Sequence, residues 1–191
     1  MDRNNNLHRR RSIRLRDYNY AQAGMYFVTI CTQKHLCFFG DIVNGKMQLN
    51  AAGEMIQKWF LELANKFHDI RCGEFVCMPN HVHFIVINTG VDLCVHPDRE
   101  HASVGANLCV RPDPDGAHTG APLPDVVRWF KTMTSNEYNR GVKSLGWPAF
   151  PGKLWQRNYY EHIIREELSY LKITEYIQTN PQKWNEDIYH V

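Results

Sequence analysis

The sequence predicts an α+β fold in which an antiparallel sheet carries helices packed on one face. Three observations predict it. The elements follow one another as strand, hairpin, helix, strand and strand. A Pro-Asn turn joins the last two strands, and the helical segment between the strands is apolar along one side only. Such a helix buries its apolar side against a sheet, which gives a layered fold.

The first half of the chain supplies a strand, a hairpin and a helix. Residues 25–32 are β-branched and aromatic and follow a glycine, as is typical of a buried strand. Residues 36–49 predict a hairpin around Asn44-Gly45, a pair that tolerates positive φ. From Ala51 to about Lys66, apolar residues recur every three or four positions, and Asn50 is a suitable N-cap.

The second half supplies two strands and two helices. Strands are predicted at about residues 71–77 and 82–88, and a helix at about 124–139. Residues 154–165 form a mixed aromatic and basic segment. A last helix is predicted at about 166–179, with acidic residues in its first turn and Pro181 ending it.

Size and composition indicate one domain spanning residues 1–191. A chain of 191 residues, 43% of them hydrophobic, can bury a single core without cross-links. We therefore expect the cysteines to be reduced thiols. No apolar run is long enough to cross a membrane and the N-terminus has no apolar leader, so we expect a cytoplasmic protein.

Two segments stand apart from this domain. A basic N-terminal arm, residues 1–17, is rich in arginine and is followed by Tyr18 and Tyr20, a combination that suits phosphate neutralisation and base stacking. Residues 89–121 are rich in Gly, Pro, Asp and His and repeat one short motif, DLCVHPD at 92–98 and NLCVRPD at 107–113. We interpret them as a loop-like duplicated insertion.

The sequence His81-Val82-His83 at the start of an apolar strand is the sharpest chemical feature. Alternate residues of a strand face the same side, so both imidazoles project together. Such a pair suits a metal. Hydrolases with an H-x-H-x-D-H motif would need an acid and a further histidine where Ile85 and Val86 stand, and those with three alternating histidines would need a histidine in place of Ile85. The pair therefore needs ligands from elsewhere in the chain.

The last helix offers them. Tyr176 and Asn180 are four residues apart and share one helix face, with Lys172 one turn earlier. The Asn180 oxygen can complete a His-His-Asn site for Mg²⁺ or Mn²⁺, and the Tyr176 hydroxyl can attack a phosphate held there. The Asn180 spacing favours Tyr176, but Tyr159, Tyr160 and Tyr170 stay open as nucleophiles on the residues alone.

Three separated motifs resemble one known family. Residues 78–86 (MPNHVHFIV), 154–165 (LWQRNYYEHIIR) and 176–181 (YIQTNP) are similar to the REP-associated tyrosine transposases, relatives of the single-tyrosine HUH transposases of insertion sequences. Residues 14–18 and 24–30 resemble that family's basic lead-in and first strand. The insertion at 89–121 is a departure from the pattern.

The resemblance implies a ferredoxin-like antiparallel sheet and a metal-dependent nick in single-stranded DNA through a 5′-phosphotyrosine. Carried over, His81 and His83 are metal ligands, Tyr176 is the nucleophile, and Asn180 is the third ligand where insertion-sequence relatives tend to have Gln. The partner it implies is hairpin DNA, bound by a monomer or a homodimer. Residues expected to bind DNA or support the site are Arg14, Arg16, Tyr18, Arg157, His162, Arg165 and Lys172.

Two other functions remain open on the sequence. The first is a protein derived from such a transposase that binds hairpin DNA or RNA without cutting it. The second is a metal-dependent hydrolase that uses water, with the tyrosine in a structural role. Retention of His81, His83, Tyr176 and Asn180 together favours the transposase, since a binding protein has no need of all of them.

Overall fold

The architecture is described from a computed structural model covering residues 18–90 and 120–190. A short 3-10 turn at Gln33–His35 follows the first strand, and a longer 3-10 helix at Asn180–Glu186 follows the last α-helix. In chain order the strands and α-helices are β1 (Gly24–Cys31), β2 (Gly40–Val43), β3 (Lys46–Leu49), α1 (Ala51–Lys66), β4 (Ile70–Cys77), β5 (His81–Asn88), α2 (Leu123–Ser144), β6 (Tyr160–Ile164) and α3 (Glu167–Thr179).

Four strands form one antiparallel sheet in the order β4-β5-β1-β6, and β2 pairs with β3 in a separate hairpin. Strand β1 is central and pairs with β5 on one side and β6 on the other. Its register with β5 sets Thr29 opposite His83 and Cys31 opposite His81. The α+β antiparallel fold class is therefore confirmed, and the histidine pair lies on an inner strand.

The two longer helices cover one face of the sheet and form the main core. Residues Ile56, Phe60 and Leu63 of α1 pack with Val126 and Phe130 of α2. From the sheet, the same core receives Val28 and Ile30 of β1 and Val82, Phe84 and Val86 of β5. These side chains alternate along each strand with side chains on the opposite face of the sheet, as the period of two requires.

The third helix lies on the opposite face. Ile177 of α3 is buried with Phe27 of β1, Ile85 of β5 and Ile164 of β6 in a smaller cluster. The expectation that helices cover one face thus describes α1 and α2, while α3 covers part of the other. The histidines, Phe27 and Ile85 share that second face, so α3 brings its side chains to them.

Most predicted elements are confirmed. Helix α1 runs over Ala51–Lys66 as expected, and the Asn50 side chain accepts a hydrogen bond from the Gly53 amide. Asn44 and Gly45 both have positive φ in the β2-β3 turn. Helix α2 continues to Ser144, beyond the predicted end near residue 139. Pro181 ends α3, but the chain continues as a 3-10 helix instead of a loop.

One strand was not predicted. Residues Tyr160–Ile164 form the edge strand β6, within the segment that was described only as mixed aromatic and basic. An edge strand carries polar residues on both faces, here Glu161 on one and His162 on the other, so it lacks the alternation that marks a half-buried strand. Its pairing with β1 decides its structure.

Some predictions fall outside the described residues. The basic arm 1–17 lies wholly outside them, as do residues 91–119 of the predicted insertion. Among the helices of residues 18–90 and 120–190, none is both long and apolar enough to cross a membrane.

Candidate active site

His81 and His83 lie side by side on β5 and are almost fully buried, with 0% and 1% of their surface exposed. Their Nε2 atoms are 3.0 Å apart. The intervening Val82 points into the core beneath α1 and α2. The prediction that alternation along a strand would bring both imidazoles to one face is confirmed.

Asn80 fixes the protonation of His81. The Nδ2 group of Asn80 donates hydrogen bonds to the carbonyls of His35 at 3.1 Å and Tyr189 at 2.8 Å. Its Oδ1 atom therefore faces His81, whose Nδ1 lies 2.8 Å away. An amide oxygen only accepts, so His81 carries its proton on Nδ1 and keeps a lone pair on Nε2.

Thr29 contacts His83 but, unlike Asn80 at His81, does not fix its tautomer. Its Oγ1 lies 2.7 Å from Nδ1 of His83, across the β1-β5 pair. A hydroxyl can donate or accept, so it can partner either neutral tautomer of His83. In the absence of a cation, Nε2 of His83 donates the hydrogen bond to Nε2 of His81, because His81 carries its own proton on Nδ1. With a cation bound, His83 can carry its proton on Nδ1 and present the Nε2 lone pair.

Both imidazoles are held neutral. Burial, with a smaller contribution from His35, lowers the pKa of His81 to about 3. Burial, followed by the neighbouring His81, also lowers the pKa of His83 well below its usual value. Neutral imidazole is the form that binds metals, so the pair is available as ligands at neutral pH.

An acid completes the group. The Oδ2 atom of Asp187 lies 3.8 Å from Nε2 of His81, and the Asp187 side chain is only 3% exposed. One ligand atom each from His81, His83 and Asp187 can be chosen such that all three lie within 4.8 Å of one another. Two imidazole nitrogens and a carboxylate oxygen form a donor set that suits a divalent cation.

Asn180, the predicted third ligand, lies next to this group. Its Nδ2 donates to Oδ2 of Asp187 at 3.0 Å. Its Oδ1 is buried and makes no hydrogen bond. A buried acceptor without a partner costs stability, which is consistent with an oxygen kept for a ligand. Asn180 therefore orients the acid, and its role as a ligand stays a prediction.

Tyr176 reaches the histidines from α3. Its hydroxyl lies 3.2 Å from Nε2 of His83, and the side chain is partly open to solvent, with 39% of the residue exposed. Burial, Asp187 and Tyr189 raise the pKa of Tyr176 to about 12, whereas the Asn180 side chain acts in the opposite direction. The hydroxyl is therefore protonated at neutral pH unless positive charge is brought close to it.

The other candidate tyrosines contact other parts of the fold. Tyr159 packs against the main core under the ammonium of Lys131. Tyr160 touches Phe27 edge to face, at the rim of the site, and Tyr170 packs against the smaller cluster. Tyr189, which the sequence did not single out, lies beside the histidines, with its ring centroid 4.8 Å from that of His81. By position, Tyr189 is therefore the alternative to Tyr176 as the candidate nucleophile.

The predicted DNA-contacting residues divide between several places. His162 and Lys172 line a pocket between β6 and α3, and Arg165 is exposed in the connection between them. Arg157 lines a separate groove along α2. Tyr18 packs against Tyr20 and Tyr26. Arg14 and Arg16 lie outside the described residues.

Sequence reasoning missed the residues that support the site. Asn80 precedes the H-x-H motif directly, so its position was a usable signal. Thr29 is one residue of a buried strand, and nothing local marks it. Asp187 and Tyr189 follow the end predicted for the last helix, where the chain turns back to place them beside His81. Only the folded chain shows these two contacts.

Comparison with known proteins gives one relative in sequence. A Haemophilus influenzae protein described only as uncharacterized is 37% identical over 190 residues, which cover 98% of this chain and 97% of that protein. The two proteins belong to one family. No family model matches the sequence.

A solved structure shares the fold of this family. A REP-associated tyrosine transposase bound to a REP hairpin aligns with a TM-score of 0.53 and 16% identity, over 90% of this chain and 74% of that one. At this identity the likeness establishes the fold. The resemblance to the REP-associated tyrosine transposases noted in three motifs is thereby confirmed at the level of structure.

Proposed function

We propose that the protein is a metal-dependent transposase of the single-tyrosine HUH class, which nicks and rejoins hairpin-containing single-stranded DNA. One observation carries this proposal: the Tyr176 hydroxyl lies 3.2 Å from Nε2 of His83, within the group formed by His81, His83 and Asp187. A tyrosine hydroxyl beside a candidate metal site is the arrangement needed for nucleophilic attack on a phosphate.

His81, His83 and Asp187 would hold the cation, and the free Oδ1 of Asn180 would supply a further ligand. These nitrogen and oxygen donors suit Mg²⁺ or Mn²⁺. When bound, the cation supplies positive charge that polarises the scissile phosphate and favours loss of the tyrosine proton. The lone pair on His81, fixed by Asn80, and the unpartnered Asn180 oxygen are the features of this chain that fit such an ion.

Tyr176 is the nucleophile. Its oxygen forms a bond to the phosphorus, the bond from phosphorus to the 3′-oxygen breaks, and the 3′-oxygen leaves as a hydroxyl after taking up a proton. The products are a 5′-phosphotyrosine and a free 3′-hydroxyl. Because the phosphodiester energy is kept in the covalent link, attack by a 3′-hydroxyl on that link rejoins the strand.

The substrate is single-stranded DNA containing a hairpin, and the protein acts in the cytoplasm as a monomer or homodimer. The transposase with the same fold is bound to a REP hairpin. Cationic side chains hold phosphates and set the position of the strand. Those assigned to this role are Arg14, Arg16, Arg157, Arg165 and Lys172, with His162 supporting the site and Tyr18 offering a stacking surface.

The test is formation of a covalent protein–DNA adduct. The protein is incubated with Mg²⁺ or Mn²⁺ and labelled single-stranded hairpins taken from the DNA that flanks its own gene, and the products are run on a denaturing gel. We expect an adduct that is lost in Tyr176→Phe and His81→Ala. Tyr170→Phe, two turns earlier on α3, is the matched control and should retain the adduct.

Other results identify the competing functions. An adduct that survives Tyr176→Phe but disappears in Tyr189→Phe would make Tyr189 the nucleophile, and loss in Tyr159→Phe or Tyr160→Phe would select one of those residues. Cleavage without any adduct would indicate a hydrolase that uses water. Bound but uncut DNA, with Mg²⁺ and with Mn²⁺, would indicate a binding protein.

A further inference from the structure

A pocket of about 450 Å³ opens beside the candidate active site, between the edge strand β6 and helix α3. Tyr160 and His162 of β6 form one side, and Ser169 and Lys172 of α3 form the other. Phe27 of β1 also lines the pocket. The pocket therefore lies on the same sheet face as the histidines.

The floor of the pocket is shared with the active site. The ring of Phe27 stacks on His83 with centroids 5.4 Å apart and an interplanar angle of 23°. It also meets Tyr176 edge to face at 6.1 Å and Tyr160 at 6.4 Å. One aromatic side chain thus connects the pocket to the proposed nucleophile, so a group in this pocket lies beside a phosphate at Tyr176.

The chemistry of the lining suits a nucleobase joined to a phosphate. Tyr160 is 53% exposed, and its ring offers an apolar surface to the pocket rim. The polar side chains of His162, Glu166 and Ser169 can donate to or accept from the edge of a base. Lys172 is exposed and cationic, one turn before Tyr176 on α3. Stacking aromatics beside a cation are typical of single-stranded nucleic acid sites.

We propose that this pocket binds the base of the nucleotide adjoining the scissile phosphate, with the base against Tyr160 and the phosphate near Lys172. This inference rests on the proposed function for the position of that phosphate. The aromatic contact tolerates any base, and the polar lining selects among bases. Tyr160 is a binding residue in this assignment, separate from Tyr176.

Binding without cleavage tests the pocket. The full chain carrying Tyr176→Phe is titrated, with EDTA present, into fluorescein-labelled dT10 and into a decamer of the same length with abasic sugars. Dissociation constants come from fluorescence anisotropy. The variants are Tyr160→Ala and Tyr160→Phe, and the matched control is Leu61→Ala, which removes an exposed apolar side chain from α1 on the opposite face.

We expect Tyr160→Ala to weaken dT10 binding by roughly 5- to 150-fold, the range that corresponds to losing one stacked base. Tyr160→Phe keeps the ring and should stay within about twofold of the parent, as should Leu61→Ala. The abasic decamer should bind equally to the parent and to Tyr160→Ala. Lys172→Gln should lower the salt dependence by about 0.7 in the slope of log affinity against log salt.

Three results would overturn the proposal. Unchanged dT10 binding in Tyr160→Ala would show that Tyr160 makes no contact with a base. An equal loss for dT10 and the abasic decamer would mean that Tyr160 contacts the backbone. A change in self-association alone, measured by sedimentation, would mean that a second copy pairs with β6. If no adduct forms in the nicking assay but the dT10 difference persists, the pocket stands and the proposed transposase activity fails.

Discussion

Nδ1 of His81 lies 2.8 Å from Oδ1 of the preceding Asn80, and this contact fixes which nitrogen of the imidazole is free. The same asparagine ties the carbonyls of His35 and Tyr189 together through its Nδ2 group. Asn80 therefore links the 3-10 turn after β1, the histidine strand and the C-terminal segment. A group that holds a ligand's second nitrogen also sets the ligand's orientation and basicity.

Replacing Asn80 should weaken metal binding. Asn80→Ala removes the acceptor of the His81 Nδ1 proton, so the imidazole can rotate or change tautomer. We expect the affinity for Mn²⁺, measured by isothermal titration calorimetry at pH 7, to fall about 10- to 100-fold. Asn65→Ala, on the exposed side of α1, is the control and should bind as the wild type does. Equal affinity in Asn80→Ala and the wild type would refute this role.

Thr29 should contribute to stability through His83. Thr29→Val removes the hydroxyl 2.7 Å from Nδ1 of His83 and leaves a buried nitrogen without a partner. The free energy of unfolding in urea should fall by about 1–3 kcal/mol. Thr29→Ser keeps the hydroxyl and should recover most of the loss. A Thr29→Val protein as stable as the wild type would show that His83 finds another partner.

Asp187 and Asn180 can be separated as ligands. Asp187→Asn keeps the shape but removes the charge, so we expect Mn²⁺ affinity to fall by at least the roughly 10-fold lost when a group that only supports a ligand is removed. Asn180→Ala removes the unpartnered Oδ1 as well as the donor to Asp187, and should give a smaller loss. Electron paramagnetic resonance of bound Mn²⁺ measures both. A larger loss in Asn180→Ala would make the amide the principal oxygen ligand.

Acid should destabilise the metal-free protein through its histidines. The folded state keeps His81 neutral down to a pKa of about 3, whereas the unfolded chain takes up the proton near pH 6.5. Between these values the unfolded state binds more protons, so stability is present above pH 6.5 and is lost as the pH falls. The slope approaches about 1.4 kcal/mol per pH unit for each histidine.

Urea unfolding in EDTA from pH 7.5 to 4 measures this loss. The comparison is with the double variant His81→Gln and His83→Gln, which has no titratable imidazole at either position. We expect the double variant to lose less stability than the wild type over the same interval. Parallel curves would mean that other groups account for the whole pH dependence.

The local sequence pattern was sufficient to predict the elements that have one strongly apolar side. The spacing of Ile56, Phe60 and Leu63 defines α1 without reference to any other segment, and Asn50 marks its start. The shorter edge strand β6 was missed because its alternation is weak and its structure depends on hydrogen bonds to β1. The sequence analysis also missed that helices cover both faces of the sheet. The position of α3 on the second face depends on tertiary contacts and not on a local pattern.

The sequence alone determined that His81 and His83 face one side, because a strand repeats every two residues. It also selected Tyr176 through its spacing from Asn180 and the motif resemblance. The tertiary structure alone decided that Asp187 and Tyr189 lie beside His81 and that Thr29 supports His83. These contacts join residues distant in the chain, and such contacts depend on strand pairing and on the path of the C-terminal segment, which no local period encodes.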